Sequence, residues 1–368
     1  MNNNKKIIYL FGEGRNKRIE NLEDSSDEFF YGYNYIKNIY KDTENIEMNP
    51  HLKKPISNLV DKFLRKICHL PFFFSQIITF KNLKKILQCN VIIATNDRIG
   101  LSSLPLILVA KIFKKIKVLV IVMGLFSNTN KNKDNLLDKF FLYVFLRNVD
   151  QFLFLGKPET EKAKSLYRKF SHKFYFLPFC INTNFWKTKV TEEQKVKNNI
   201  AFIGNDGNRD FNKVLEISYL LPEINFIFVS QNFNSKNIPT NVELYKGSWG
   251  ENTLTDLEIK KIYSRSKLTI LPLKESIQPS GQSVTLQSIS SGTPVMITKT
   301  EGFWDTSKYQ NKKNILFIDN NSVENWVKEI KEIYNNDLLL HKIKQQGIEL
   351  IEEEYNLNKF VKQLQQFL

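Results

Sequence analysis

The sequence predicts an α/β protein made of two doubly wound Rossmann-like domains facing a cleft. Three observations lead there. The chain has 368 residues, too many for one ordinary core and suited to two domains of roughly 150–180 residues. Hydrophobic residues make up 42% and aromatics 13%, enough for two cores and too many for general disorder. Short apolar, β-branched or aromatic runs alternate with helical patterns. Near-continuous apolar strands of this kind are buried on both faces, as in parallel sheets.

In the first half, strands are expected near Lys6–Phe11, Asn90–Thr95, Lys117–Met123, Gln151–Leu155 and Lys173–Leu177. In the second half they fall near Asn199–Ile203, Asn225–Val229, Val242–Tyr245, Lys267–Leu273, Pro294–Thr298 and Asn314–Ile318, each start separated from the next by a strand plus a crossover helix. Ser322 precedes Val323, Trp326, Val327, Ile330 and Tyr334, the pattern of a capped amphipathic helix. A last helix, starting after Asn356 or Asn358, lines up Phe360, Val361, Leu364, Phe367 and Leu368 on one face. So apolar a face must dock, and the first domain is its expected partner. The expected division is an N-terminal domain over 1–180, a C-terminal domain over 187–345 and a docking helix over 346–368.

Composition excludes several classes. The longest apolar run, Val118–Phe126, is nine residues with its glycine counted, where a membrane span needs about 20. The N-terminal apolar run is too short for a signal-peptide core. Cys68, Cys89 and Cys180 are an odd number without a close pair, against a disulfide framework or a structural zinc site. A cytoplasmic protein is expected. Its net charge of +15 is uneven: residues 1–185 hold 30 basic and 16 acidic residues, and residues 51–117 hold 13 and 2. Such asymmetry points to a polyanionic partner for the first half. Ile56, Leu59, Val60, Phe63, Leu64 and Ile67 mark one helical face, while Lys62, Arg65 and Lys66 fall elsewhere. A basic amphipathic pattern beside aromatics fits peripheral attachment to an anionic membrane surface at the inner face of the cytoplasmic membrane. Core helices with solvated lysines are the alternative reading, and nucleic acid is not expected as a partner.

Parallel sheets bind ligands beyond the carboxyl ends of their strands, so the loops there are the place to seek chemistry. The first such loop is Phe202-Ile-Gly-Asn-Asp-Gly-Asn-Arg-Asp-Phe211. Gly204 and Gly207 let the backbone turn, each followed by an asparagine (Asn205 and Asn208), and amides at a helix start can face a phosphate. Arg209 adds a bidentate donor set for phosphate oxygens. The second loop runs from Leu271 through Ser280, Gly281, Gln282 and Ser283 into a helix bearing Thr285, Gln287, Ser288, Ser290 and Ser291, with Gly292 as its stop. Uncharged donors and acceptors at a helix N-terminus suit a sugar's hydroxyls beside a diphosphate.

At this second loop the sequence resembles the retaining glycosyltransferases of GT-B fold (group 1, family 4-like) that use nucleotide-sugar donors, of the kind that build cell-envelope polysaccharide or lipopolysaccharide. The run Ser288-Ile-Ser-Ser-Gly-Thr-Pro-Val295 matches the end of their signature loop. The two signature glutamates fall at Pro279 and Gln287, and Glu275 is the only nearby carboxylate. The resemblance implies that Gln287 takes the donor-ribose role and that Ser280–Ser283 meet the transferred sugar. Leu177-Pro-Phe-Cys-Ile-Asn-Thr-Asn-Phe-Trp186 is similar to the segment joining the family's domains. Gly247-Ser248-Trp249 ends a strand where the family's backbone meets the nucleobase.

The resemblance places the acceptor in the first domain. There Gly12, Gly14 and Arg15 follow the first strand, Gly124 follows a middle strand, and Asp27-Glu-Phe-Phe-Tyr-Gly32 borders the acceptor. The expected reaction moves a sugar from a nucleoside diphosphate to a hydroxyl of a lipid-linked glycan, with retention and with Arg209 and Glu275 as catalytic residues. Lys213 or Lys274 would assist at the leaving group. No cofactor and no metal are expected, because no His or carboxylate cluster has ligand spacing. A sugar-nucleotide epimerase of the same fold, or a non-catalytic protein binding sugar nucleotide or lipid, stay open as alternatives.

Overall fold

The computed structural model describes residues 5–52, 55–127, 135–188, 198–247 and 254–368. The chain forms two compact units. Unit 1 takes the residues up to Asn21, then Phe29–Pro178 and Phe360–Leu368; unit 2 takes Leu22–Glu28 and Phe179–Lys359.

Unit 1 is built on six strands: β1 (Ile7–Phe11), β2 (Thr43–Glu47), β3 (Val91–Ala94), β4 (Lys117–Val122), β5 (Gln151–Phe154) and β6 (Phe174–Phe176). Every pairing is parallel and the order is β2-β1-β3-β4-β5-β6. Strand β2 is absent from the sequence expectation. Thr-Glu-Asn-Ile-Glu shows no apolar run because β2 is an edge strand, and it buries only Thr43 and Ile46. The central strands β3 and β4 are buried on both faces from Val91 to Ala94 and from Val118 to Val122, where they read as Val, Ile, Leu and Ala. Right-handed crossovers put the connections from β2 onward on one face of the sheet, since each steps in the same direction. The helices Pro55–Ile67, Phe80–Gln88, Asp97–Phe113, Leu136–Asn148 and Lys157–Leu166 therefore share that face. The chain's last nine residues also belong to unit 1, where Phe360 meets Tyr31 at 6.3 Å between ring centres and Phe367 meets Tyr175 at 5.0 Å.

Unit 2 has β7 (Asn199–Ile203), β8 (Asn225–Val229), β9 (Val242–Tyr245), β10 (Ser266–Leu271), β11 (Val295–Thr298) and β12 (Leu316–Ile318), all parallel, in the order β12-β11-β10-β7-β8-β9. The order reverses between β7 and β10, and in unit 1 between β1 and β3. A crevice opens at such a reversal because the helices on its two sides leave in opposite directions. Eleven strands lie within two residues of their expected bounds. Among the described residues no helix is long and apolar enough to cross a membrane.

Candidate functional site

The reversal between β7 and β10 brings the two glycine-bearing loops of unit 2 together. Arg209 and Leu273 form an antiparallel bridge, Asp210 N donates to Pro272 O at 3.0 Å, and Lys274 N donates to Asn208 O at 2.8 Å. Asn208 Nδ2 donates to Ser280 Oγ at 2.7 Å, which ties the first loop to the start of the second helix.

Arg209 is the centre of this arrangement. It is 2% exposed, and burial lowers its pKa, opposed by the Asp206 carboxylate. Asp206 Oδ2 lies 3.3 Å from Nη2, while Nε and Nη1 are buried without a described acceptor. Two glycines make room for it. Gly204 has φ +152°, and a Cβ there would lie inside contact distance of Arg209 Nε. Gly281 has φ +81°, and a Cβ there would stand 3.5 Å from Nη1. The guanidinium thus lies against Gly281, the N-cap of the helix Gln282–Ser290, which supplies no side-chain cap. Leaving two buried N–H groups unpaired costs about 1–3 kcal/mol each, and an anion at the helix start would satisfy them and gain from the helix dipole. Thr285 Oγ1, one turn into that helix, is likewise buried and unpaired.

The other expected donor residues divide into groups that face the loops and groups that hold the fold. Ser283 is half-buried and Gln282 buried at the helix start. Gly207 is open, its carbonyl accepting from Lys274 Nζ at 3.3 Å. Asn205 holds three strand ends: Nδ2 donates to Gly247 O at 2.7 Å, and Oδ1 accepts from Ser230 Oγ and Gln231 N. Ser248 and Trp249 lie outside the described residues. Lys213 is engaged by Asp210 at 3.1 Å. Glu275 is exposed, and its Oε1 accepts from Glu301 N at 2.6 Å, pinning the turn where Gly302 N meets Ser276 O.

Gln287 is buried and already bonded. Its Nε2 donates to Glu28 Oε1 at 2.9 Å, and the same carboxylate accepts from Trp186 Nε1 at 2.9 Å and from Ser26 Oγ. A carboxylate does stand beside position 287, but it arrives from the N-terminal segment, 259 residues away. Burial pushes the Glu28 carboxyl up to about 7, against the hydrogen bonds from Ser26 and Gln287. Asp27–Gly32 was expected at the acceptor; in the structure it divides between the units, with Asp27 and Glu28 in unit 2.

In unit 1 the loops after β1 and β3 meet at that sheet's own reversal, where Thr95 N and Oγ1 both donate to Leu10 O. A Cβ at Gly12 would stand 3.8 Å from Ile99, and Gly14 starts the helix Arg15–Glu20 in the left-handed region. Its first amides are taken: Arg15 N and Asn16 N donate to the Glu47 carboxylate at 2.8 and 3.3 Å. The Arg15 side chain is held near Phe29, its pKa lowered by burial. Gly124 (φ +108°) lies in a loop fastened by two buried carboxylates. Glu159 accepts from Gly124 N and Phe126 N, and Asp97 accepts from Met123 N. Burial, then the Asp97 charge, pushes Glu159 up to about 8. The sequence reading held Glu28 and Glu159 only within longer segments and gave neither a role of its own: Glu28 lies in the 27–32 stretch and Glu159 in the first turn of the helix Lys157–Leu166.

No protein-family model matches this sequence, and no curated protein matches it. Solved structures do. HepE of Anabaena, in complex with UDP-glucose, superposes with a TM-score of 0.68 at 9% identity over 98% of both chains. A glycosyltransferase from Rickettsia africae gives 0.66 at 13% identity over 99% of this chain and 98% of that one. Sucrose-phosphate synthase from Thermosynechococcus elongatus gives 0.63 at 14% identity over 98% of each. The fold is GT-B. At these identities the likeness establishes the architecture, and in the GT-B frame the Arg209 loops are the ones that close the reversal point of the second sheet.

Proposed function

We propose that the protein transfers a sugar from a nucleoside-diphosphate donor to a hydroxyl of a lipid-linked glycan, with retention, in the assembly of a cell-surface polysaccharide or lipopolysaccharide. The observation that carries this is the Arg209 guanidinium, buried with Nε and Nη1 unpaired beside the N-cap of an α-helix. A diphosphate supplies the oxygens those donors lack. Similar structures bind UDP and UDP-glucose, which makes a uridine nucleotide the first donor to try.

In this reading Arg209 and the helix-start amides stabilise charge on the departing diphosphate. Lys274, whose chain position is fixed by Asn208 O, is the second cation, since Lys213 is paired. Ser280, Gln282 and Ser283 would meet the sugar. Glu275 would fix the 300–302 turn, and Gln287 would act through the helix it anchors. A donor phosphate oxygen takes the acceptor proton, so no separate base is required. Gly12, Gly14, Arg15 and Gly124 are proposed on the acceptor side. No metal or cofactor enters this scheme.

The test is thermal stability with UDP, GDP, ADP and CMP, since a ligand that binds only the folded state raises the melting temperature. One nucleoside diphosphate should raise it by a few degrees, and Arg209→Met should abolish the rise. Incubation with the matching sugar nucleotide should then yield a glycoside; an epimer of the donor would replace the transferase reading. No shift with any nucleotide would leave a non-catalytic protein.

A further inference from the structure

We infer that unit 1 carries a docking face for an anionic lipid bilayer, formed by the helix Pro55–Ile67 and the first turns of the helix Leu136–Asn148. The two elements are held as one surface. Asn135 caps the second helix by accepting from Leu137 N and Asp138 N, and its amide donates to Ile67 O at the end of the first. His69, just beyond, bonds to Asp138 through both its backbone N and its ring, each at 2.9 Å.

Packing uses only half of the apolar face of Pro55–Ile67. Leu64 and Ile67 pack against the core, while Leu59 and Phe63 stay 65% and 63% exposed. On the second helix Leu136 and Phe140 are 79% and 58% exposed. Large apolar side chains clustered this way on one surface mark an interaction site.

The charge around them has one sign. Residues 51–148 contain four acidic residues, Asp61, Asp97, Asp134 and Asp138. Asp134 lies outside the described residues and the other three are buried. Asp61 accepts from Phe74 N, Ser75 N and Ser75 Oγ, Asp97 from Met123 N, and Asp138 holds His69. The exposed cations are left unbalanced: Lys62, Lys66 and Lys139 make no ion pair with a described residue. Arg65 and Arg98 both lie over the Phe73 ring, at 4.3 and 3.8 Å; Arg65 also donates to Phe72 O at 2.7 Å, and Arg98 feels the Glu13 charge without a direct ion pair to a described residue. Two guanidiniums on one ring repel each other until an anion is shared between them.

Exposed apolar side chains on helices that carry unpaired lysines, with every described carboxylate of residues 55–148 buried, match a bilayer bearing anionic headgroups, where acyl chains take the first and phosphates the second. Nucleic acid would use the cations and leave Leu59, Phe63 and Leu136 in water. A second copy of the chain would meet its own charge.

The test is co-sedimentation with phosphatidylcholine vesicles, with and without phosphatidylglycerol, at low and high salt. Binding should require phosphatidylglycerol and fall with salt. Lys62→Glu with Lys66→Glu should weaken it at least ~tenfold, and Leu59→Ser with Phe63→Ser by a similar factor, with melting temperature unchanged in both. All three native cysteines are buried, so Phe63→Cys labelled with a polarity-sensitive dye should report an apolar environment on vesicle binding. Several results would overturn the inference: no binding to anionic vesicles at low salt, binding indifferent to lipid charge, tighter binding to duplex DNA than to vesicles, or a vesicle-free dimer that Phe63→Ser disperses. The nucleotide-induced melting shift is read in parallel, so failure at this face and failure at the donor site are separate outcomes.

Discussion

In unit 1 the loop after β1 starts a helix whose first amides, those of Arg15 and Asn16, are occupied by the Glu47 carboxylate. In unit 2 the loop after β7 delivers Arg209 beside the N-cap Gly281, with two of its N–H groups unpaired. Both loops sit at the reversal point of a six-stranded parallel sheet, so the sheets alone do not distinguish them. What differs is whether the protein's own carboxylate already fills the positive end of the helix. The unit 1 loop is electrostatically closed to an anion and the unit 2 loop is open to one. The surfaces invert this relation. The first half of the chain carries most of the basic excess and the exposed apolar helices, whereas in unit 2 the proposed anion position is internal, beside the buried Arg209.

The largest test of this contrast is Arg209→Met. It should lower turnover by roughly a hundred- to a thousandfold, the scale of losing one preorganised donor at a developing anion. The unliganded protein should not lose stability, because an underpaired buried cation is removed. A nucleotide-induced melting shift that survives the substitution would move the anion site out of unit 2.

Next comes the pH response of the buried carboxylates. Glu159 rises from about 4.5 in the unfolded chain to about 8 when folded, so the native state binds its proton more tightly. The resulting stability is complete below about pH 4.5 and is lost as pH climbs toward 8. It amounts to about 3 kcal/mol at most, since water penetration discounts such shifts. Urea unfolding at stepped pH should show the decline, and Glu159→Gln should make it shallower, leaving the part that Glu28 contributes as pH rises through about 7. Stability that increases from pH 5 to 8 would contradict the assignment.

A matched pair of glycines sharpens the comparison. Gly14 and Gly281 have nearly the same φ, +82° and +81°. Gly14→Ala and Gly281→Ala should each cost about 1 kcal/mol in backbone strain. A new Cβ at Gly14 meets nothing within 4 Å, whereas one at Gly281 meets Ile297, Leu271 and Arg209. Only Gly281→Ala should therefore weaken the nucleotide response; equal responses from both variants would detach that glycine from the anion site. The smallest effect is expected from Phe63→Ser, within about 0.5 kcal/mol of the parent in chemical unfolding. A larger loss would show that this side chain belongs to the core.

Much of this architecture was readable because buried strands announce themselves locally. Val-Leu-Val-Ile-Val in β4 and Ile-Ala-Phe-Ile in β7 need no context. Strand β2 escaped because an edge needs little apolar surface, and nothing in Asp27–Gly32 by itself told that the stretch divides between the units. The loop that carries Arg209 was legible from its glycines. The engagement of Gln287 was not, since its partner Glu28 lies 259 residues away in the chain.

The sequence by itself determined the alternation of strands and helices, the positions of the glycine loops and the concentration of basic charge between residues 51 and 117. Each is a local property, set by side-chain period, backbone freedom or composition. Only the tertiary structure decided that Arg209 is buried with two donors unpaired, that Glu47 closes the corresponding loop of unit 1, and that Asp61, Asp97 and Asp138 turn inward. These depend on which distant segments the folded chain brings into hydrogen-bonding range. Burial then sets their electrostatics, because a charge withdrawn from water is governed by the few partners within reach.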